Sequence, residues 1–501
     1  MEIDDPSRLS IRHRLRFLAK DSVLYGGATA LNKAFALITF PLLARHFSVS
    51  DFGVIDFFTV ISTLLATFFI FGQDSAVARF FYEYENEDAR RQIISQSFFL
   101  QIGFVLLALP LLWIAAGMWA ENLSEAPKSE LLLKIVLLQV PFQVLNNFSQ
   151  ILLKWTFSRI RYLIISLGTV VLNVTLLLFA ILVLKIGVEG VFLIYLVVRI
   201  SFGILGLTFI RTWLVIPNGF AFLRELVPFA LPFGIISCIG AFVPALERSL
   251  VNSLLGANDL GLYAAGAKIA MLIALVNQAF YTAWGPFSLA IHRDPDAAHT
   301  YNYVLKAFTL GISVAVLLLS AIAQPAILLL ASDRYAGAAI VVFPLSMALG
   351  IKGTVWITEI GITLSKKSFL NLYSFAAFLF VTAIAGYGLG VKYGLLGVAL
   401  GVLFGQTARA FSGSWLAQHV YRLPWPFRPV LALMGVTIAI GVFGMWAGVE
   451  FGGTASRSIY TVGTLIVPIV GWFLLFTVKE RQRLRSEFQA IRGRILWRSR
   501  N

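Results

Sequence analysis

Ionisable side chains interrupt stretches that are otherwise apolar for about twenty residues, and they carry whatever chemistry the chain performs. The basic ones are Lys33, Arg199, Arg248, Lys268, Lys306, Lys352 and Arg409; the acidic ones are Asp56, Glu247 and Glu359, with Asp74 at the inner end of such a stretch. A charge at mid-bilayer costs about 3 kcal/mol, so this many cations facing lipid would cost on the order of 20 kcal/mol. They are tolerable if they line a wet cavity, pair with acids, or reach an interface. A cavity with excess cations suits an anion such as phosphate or pyrophosphate, which Arg grips bidentately and Lys as a point charge.

Position sorts these groups. Lys33 and Arg409 stand nearest the middle of their stretches, where reaching the interface is hardest, and Arg199 comes next. Lys306 lies near an inner end and is expected to snorkel. Lys268 and Asp56 sit one to two turns inside the outer ends of their stretches and suit a pair across a cavity, an outer gate, or snorkelling. Glu247 and Arg248 point about 100° apart on a helix and need not pair with each other. Lys352 and Glu359 are two turns apart on one face. The expected substrate-binding set is therefore Lys33, Arg199, Arg248, Lys268, Lys352 and Arg409. Asp56, Glu247 and Glu359 are the candidates for ion coupling or gating.

Other chemistries lack their residues. No glycine-rich loop ends in Gly-Lys-Ser/Thr, and no nucleophile has a base at a recognised spacing, so an enzyme is not expected. Cys238 is the single cysteine and the five histidines are scattered, which supports no metal centre and no cofactor. The net charge of +15 is concentrated in short loops and tails, where it sets topology; a nucleic-acid partner is not expected.

The elements that must position these charges are membrane helices. The chain has 501 residues, 58% hydrophobic and 13% charged, with mean hydropathy +0.83; soluble proteins carry about 25% charged residues. The apolar runs are continuous and do not alternate, which excludes a β-barrel. The expected fold is an all-α polytopic membrane protein of about 14 spans. A basic N-terminus (1–20), without the cleavage pattern of a signal peptide, precedes six spans (21–215) and six more (221–422). Two further spans (427–478) and a basic tail (479–501) follow. Span one is expected at 21–45, span two at 52–74, span seven at 227–254, span eight at 262–290, and spans eleven and twelve at 369–391 and 395–419.

Lys and Arg are concentrated in the loops that follow even-numbered spans and in both tails, which places both termini in the cytoplasm. The tail spaces Leu484, Phe488, Ile491 and Ile495 helically among arginines, as a basic helix lying on an anionic leaflet does. Asp51/Gly53 recurs as Asp259/Gly261, and Gly187 to Val191 recurs as Gly394 to Val398, at nearly one offset of about 207 residues. Two parallel six-helix repeats around a central cavity follow. Pro41 in span one and Pro228, Pro232 and Pro244 in span seven permit bending of the two repeat-opening helices.

The chain resembles the polysaccharide branch of the multidrug/oligosaccharidyl-lipid/polysaccharide (MOP) exporter superfamily, the O-antigen type flippases. The resemblance rests on Tyr25-Gly26-Gly27, Phe40 to Arg45, Ser48 to Gly53, Gly72 to Ala76 with Arg79-Phe80-Phe81, Asn258 to Tyr263, and Ala283 to Phe287. It implies two lobes, a cavity lined by spans one, two, seven and eight, and alternating access. The implied substrate is a polyprenyl-pyrophosphate-linked oligosaccharide moved from the inner to the outer leaflet of the bacterial cytoplasmic membrane. Glycosyltransferases and a polysaccharide polymerase are the implied partners, beside membrane lipids. If that arrangement holds, Lys33, Asp56, Arg248 and Lys268 lie on cavity-lining spans. A peptidoglycan-precursor flippase and a cation-coupled multidrug exporter of the same superfamily are the alternatives; organic cations would favour excess acid in the cavity.

Overall fold

In the computed structural model the described residues are 38–84, 86–123 and 128–482, together with Gly27 and Leu31. Lys33, most of the expected first span, the basic N-terminus and residues 483–501 of the tail lie outside them. All regular structure among the described residues is helical.

After α1 (38–46), Ser48 caps α2 (Val49–Ile70): its Oγ accepts from Asp51 N at 3.1 Å and its hydroxyl donates to Asp51 Oδ2 at 2.7 Å. The Ser-x-x-Asp motif is thus a helix start. Phe71 and Gly72, both at positive φ, break α2 from α3 (Gln73–Glu83). The remaining helices of the first half are α4 (Glu87–Leu123), α5 (Ser129–Trp155), α6 (Arg159–Phe179) and α7 (Val188–Ile210). The second half runs through α8 (Leu223–Leu255), α9 (Ala257–Ala290), α10 (Ala297–Leu330), α11 (Val342–Thr358), the short α12 (Ile360–Leu364) and α13 (Asn371–Val420). α14 (Phe427–Phe451) and α15 (Gly453–Leu475) pack on each other and on α10.

Among the described residues, 12 helices are long and apolar enough to cross a membrane. The expectation of fourteen differs for two reasons. The first expected span lies largely outside the described residues. Spans eleven and twelve form the continuous 50-residue α13, whose backbone leaves helical geometry at Gly394 (φ 58°, ψ −136°). Straight, it would reach about 75 Å, far beyond a hydrocarbon core of about 30 Å. It folds back instead. Gly397 lies against Leu389 O and Gly401 against Gly386, so the two limbs are antiparallel and in contact.

Helices α4, α5, α6 and α7 pack among themselves, as do α9, α10, α11 and α13. The halves meet where α2 and α3 lie against α8 and α9. There the two copies of the repeated turn touch: a Cβ on Gly53 would stand 2.5 Å from Gly261 N, and one on Gly261 would stand 1.9 Å from Val49 O. At the other end of α2, a Cβ on Gly72 would stand 2.5 Å from Ala230 O and Gly234 N. Arg45 donates to the last carbonyls of α10 at Leu329 and Leu330, tying α1 to the second half.

Candidate functional site

A cavity of about 540 Å³ runs along α2, walled by α1, α5, α6 and α7, with Lys268 reaching in from α9. α2 contributes Asp56 and, at successive turns, Thr59, Thr63 and Thr67; α5 contributes Gln143, Asn146, Asn147 and Gln150. Thr39 of α1, Thr169 and Asn173 of α6, and Tyr195 and Arg199 of α7 complete the polar lining.

The charges partition into local sets. Asp56, with its side chain 1% exposed, is gripped from the second half by Lys268 (Nζ to Oδ1, 2.8 Å) and Arg248 (Nε to Oδ2, 3.1 Å). Arg248 also bonds Glu247 through Nη1 at 3.0 Å and stacks over Tyr263 at 5.4 Å, while the Tyr263 hydroxyl donates to Glu247 Oε2 at 3.0 Å. The neighbours Glu247 and Arg248 therefore do pair, because the long Arg side chain spans the angle between them. Two acids and two cations cancel within this cluster, which joins α2, α8 and α9.

A second pair is buried deeper in the second half. Arg409 Nη2 donates to Glu359 Oε2 at 3.3 Å, and its guanidinium lies 4.0 Å from the Phe375 ring centroid. Ser374 donates to Glu359 Oε1 at 3.3 Å. Arg409 is 2% exposed and lines the protein interior, away from the α2 cavity. The Lys352 Nζ lies 5.8 Å from the Trp356 ring centroid. Lys306 leaves the span by pairing with Glu480 at 2.8 Å. Glu480 in turn closes a capping box with Thr477, accepting from its N–H at 2.8 Å. Burial would raise the Glu480 carboxyl, but hydrogen bonds from Lys306 and Thr477 hold it below its ordinary range.

Arg199 remains. It lines the cavity, its Nη1 is fully buried without a hydrogen-bond partner, and it makes no ion pair among the described residues. The arrangement is a cation-bearing polar chamber at membrane depth, able to hold an anion against Arg199 with Lys268 at one end. Lys33 lies outside the described residues. Charge-based reading missed the carboxamides of α5. Their spacing i, i+3, i+4, i+7 within an apolar run is the signal that exposes them as one polar face.

Residues 18–292, more than half of the chain, match the polysaccharide biosynthesis protein family. No curated relative matches the chain. Its fold is similar to that of MurJ, a lipid II flippase in an inward closed conformation (TM-score 0.69, 14% identity, covering 90% of this chain and 98% of that one). It is also similar to an inward-facing multidrug resistance MATE family transporter of the MOP superfamily (TM-score 0.65, 18% identity, 77% and 94%). The MATE transporter VcmN of Vibrio cholerae shares the fold too (TM-score 0.58, 15% identity, 81% and 97%). The chain is an all-helical, multi-pass membrane protein with the MOP transporter fold.

Proposed function

The chain belongs to the polysaccharide biosynthesis protein family, and from that premise we propose that it is a flippase for polyprenyl-pyrophosphate-linked oligosaccharides. It moves them from the inner to the outer leaflet of the bacterial cytoplasmic membrane by alternating access, with both termini cytoplasmic. Glycosyltransferases supply the substrate on the inner leaflet and a polymerase consumes it on the outer, for surface polysaccharides of the O-antigen kind. The observation that carries the reading is the unpaired Arg199 on the cavity wall. Arg248 and Lys268 are matched by Asp56 and Glu247, Arg409 by Glu359, and Lys306 by Glu480. A multidrug exporter for organic cations fits less well, since the acid on the described lining, Asp56, is already held by two cations.

The test is leaflet-resolved accessibility of a polyprenyl-pyrophosphate oligosaccharide in liposomes holding the purified protein. A charge-assisted hydrogen bond contributes about 1.5–3 kcal/mol, so Arg199→Gln is expected to slow translocation by about 10- to 100-fold. Unchanged translocation in that variant, with wild-type folding, overturns the assignment. Lipid II as competitor separates this reading from a peptidoglycan-precursor flippase.

A further inference from the structure

We propose that α2, α5 and α6 form a glycan-reading wall in this same cavity, and that it selects uncharged, hydroxyl-rich sugars. The inference rests on the pyrophosphate reading of Arg199 and extends it to the sugar.

Four carboxamides on one face of a membrane-crossing helix are costly unless their polar groups are used. Their hydrogen-bond accounting leaves several groups open to the cavity. Gln143 Oε1 accepts from the Ser62 hydroxyl at 3.1 Å, and Asn146 Oδ1 accepts from Gln150 Nε2 at 2.8 Å. The amide N–H groups of Gln143 and Asn146 make no hydrogen bond among the described residues and can donate into the cavity. Asn147 lines the cavity and makes no hydrogen bond among the described residues. Asn173 Oδ1, on α6, is buried and has no hydrogen-bond partner among the described residues.

The α2 face supplies the complement. Thr59, Thr63 and Thr67 spend their hydroxyl protons on carbonyls one turn back, at 2.7, 3.0 and 2.8 Å. Their oxygen lone pairs stay available as acceptors. The wall thus presents N–H donors from α5 and oxygen acceptors from α2. A sugar hydroxyl, which both donates and accepts, satisfies the two faces at once.

Charge narrows the class. An amino sugar finds no free acid on the described lining, because Asp56 is engaged by Lys268 and Arg248. A uronic acid would compete with the pyrophosphate for Arg199, the unpaired cation there. The cavity volume of about 540 Å³ lies within the range that encloses a compact ligand. That is room for the pyrophosphate and the proximal sugars, with the apolar prenyl chain left in lipid.

The experiment measures binding to purified full-length protein in detergent micelles by tryptophan fluorescence. The probes are farnesyl pyrophosphate, the same compound carrying a neutral disaccharide, its analogue with one uronic acid, and the free neutral disaccharide. The neutral conjugate is expected to bind about ten-fold tighter than farnesyl pyrophosphate, the effect of one or two neutral hydrogen bonds. The uronate conjugate is expected to lose that advantage. Asn147→Leu and Gln143→Met, which replace the amides by apolar groups of similar shape, are expected to remove the gain and leave farnesyl pyrophosphate binding as in wild type. Equal binding of conjugate and farnesyl pyrophosphate, or equal weakening of both by these variants, overturns the glycan wall and leaves the pyrophosphate reading standing. Binding of the free disaccharide, dependent on Asn147, with none of farnesyl pyrophosphate, supports the wall and overturns that reading. Binding of no probe overturns both.

Discussion

Replacing Asp56 with Asn removes the charge that two cations of the second half converge on. The Asp56 side chain is 1% exposed and that of Arg248 is 10% exposed, 3.1 Å apart; the Lys268 side chain is 26% exposed. Stripping one partner from a buried ion pair costs about 3–5 kcal/mol, because the other charge is left unpaired away from water. A partly solvated pair contributes about 1 kcal/mol or less. Asp56→Asn is therefore expected to destabilise by about 3–5 kcal/mol. Lys268→Met should cost about 1 kcal/mol. Arg248→Met should match or exceed Asp56→Asn, since it removes the cation that Asp56 and Glu247 share. The assay is denaturant unfolding of detergent-solubilised protein, run as double-mutant cycles. Coupling of Asp56 to Arg248 should exceed coupling of Asp56 to Lys268. Wild-type stability of Asp56→Asn, or the reverse order of couplings, would refute the view that this cluster clamps α2 to α8 and α9.

Other outcomes can be checked alongside. Gly261→Ala forces a Cβ into Val49 O and should cost about 1–3 kcal/mol by overpacking. Gly285→Ala, with nothing within 4 Å of the added Cβ, should leave the melting temperature unchanged. Glu359→Gln and Arg409→Met should each destabilise by about 3–5 kcal/mol, and the double variant with Glu359→Leu should recover most of that loss in the same unfolding assay. Glu480 has its carboxyl lowered from an ordinary 4.5, so the stability it contributes is present above that value and fades as pH falls through the lowered one. Acid melts of wild type against Glu480→Gln should converge at the low end; parallel curves would show that Lys306 gains nothing from this carboxylate.

Much of this protein is local and was legible in one dimension. Apolar runs of bilayer length declare the spans. The recurrence of Asp51/Gly53 as Asp259/Gly261 declares an internal repeat, because each copy must start the same helix. The tight approach of Gly53 to Gly261 explains why that turn keeps glycine in both copies. Charge placement along the chain also named the residues of the central cluster, Asp56, Glu247, Arg248 and Lys268. It ranked Arg409 above Arg199 because depth is all that a span reveals. Pairing is a tertiary property: Arg248 meets an acid 192 residues away, Lys306 one 174 residues away, and Arg409 one 50 residues away. Those contacts cancel the deeper charges and leave Arg199 on the wall. The sequence alone set which groups enter the membrane; the fold decided which of them remain free to bind, since a buried charge is available only where no opposite charge has been packed against it.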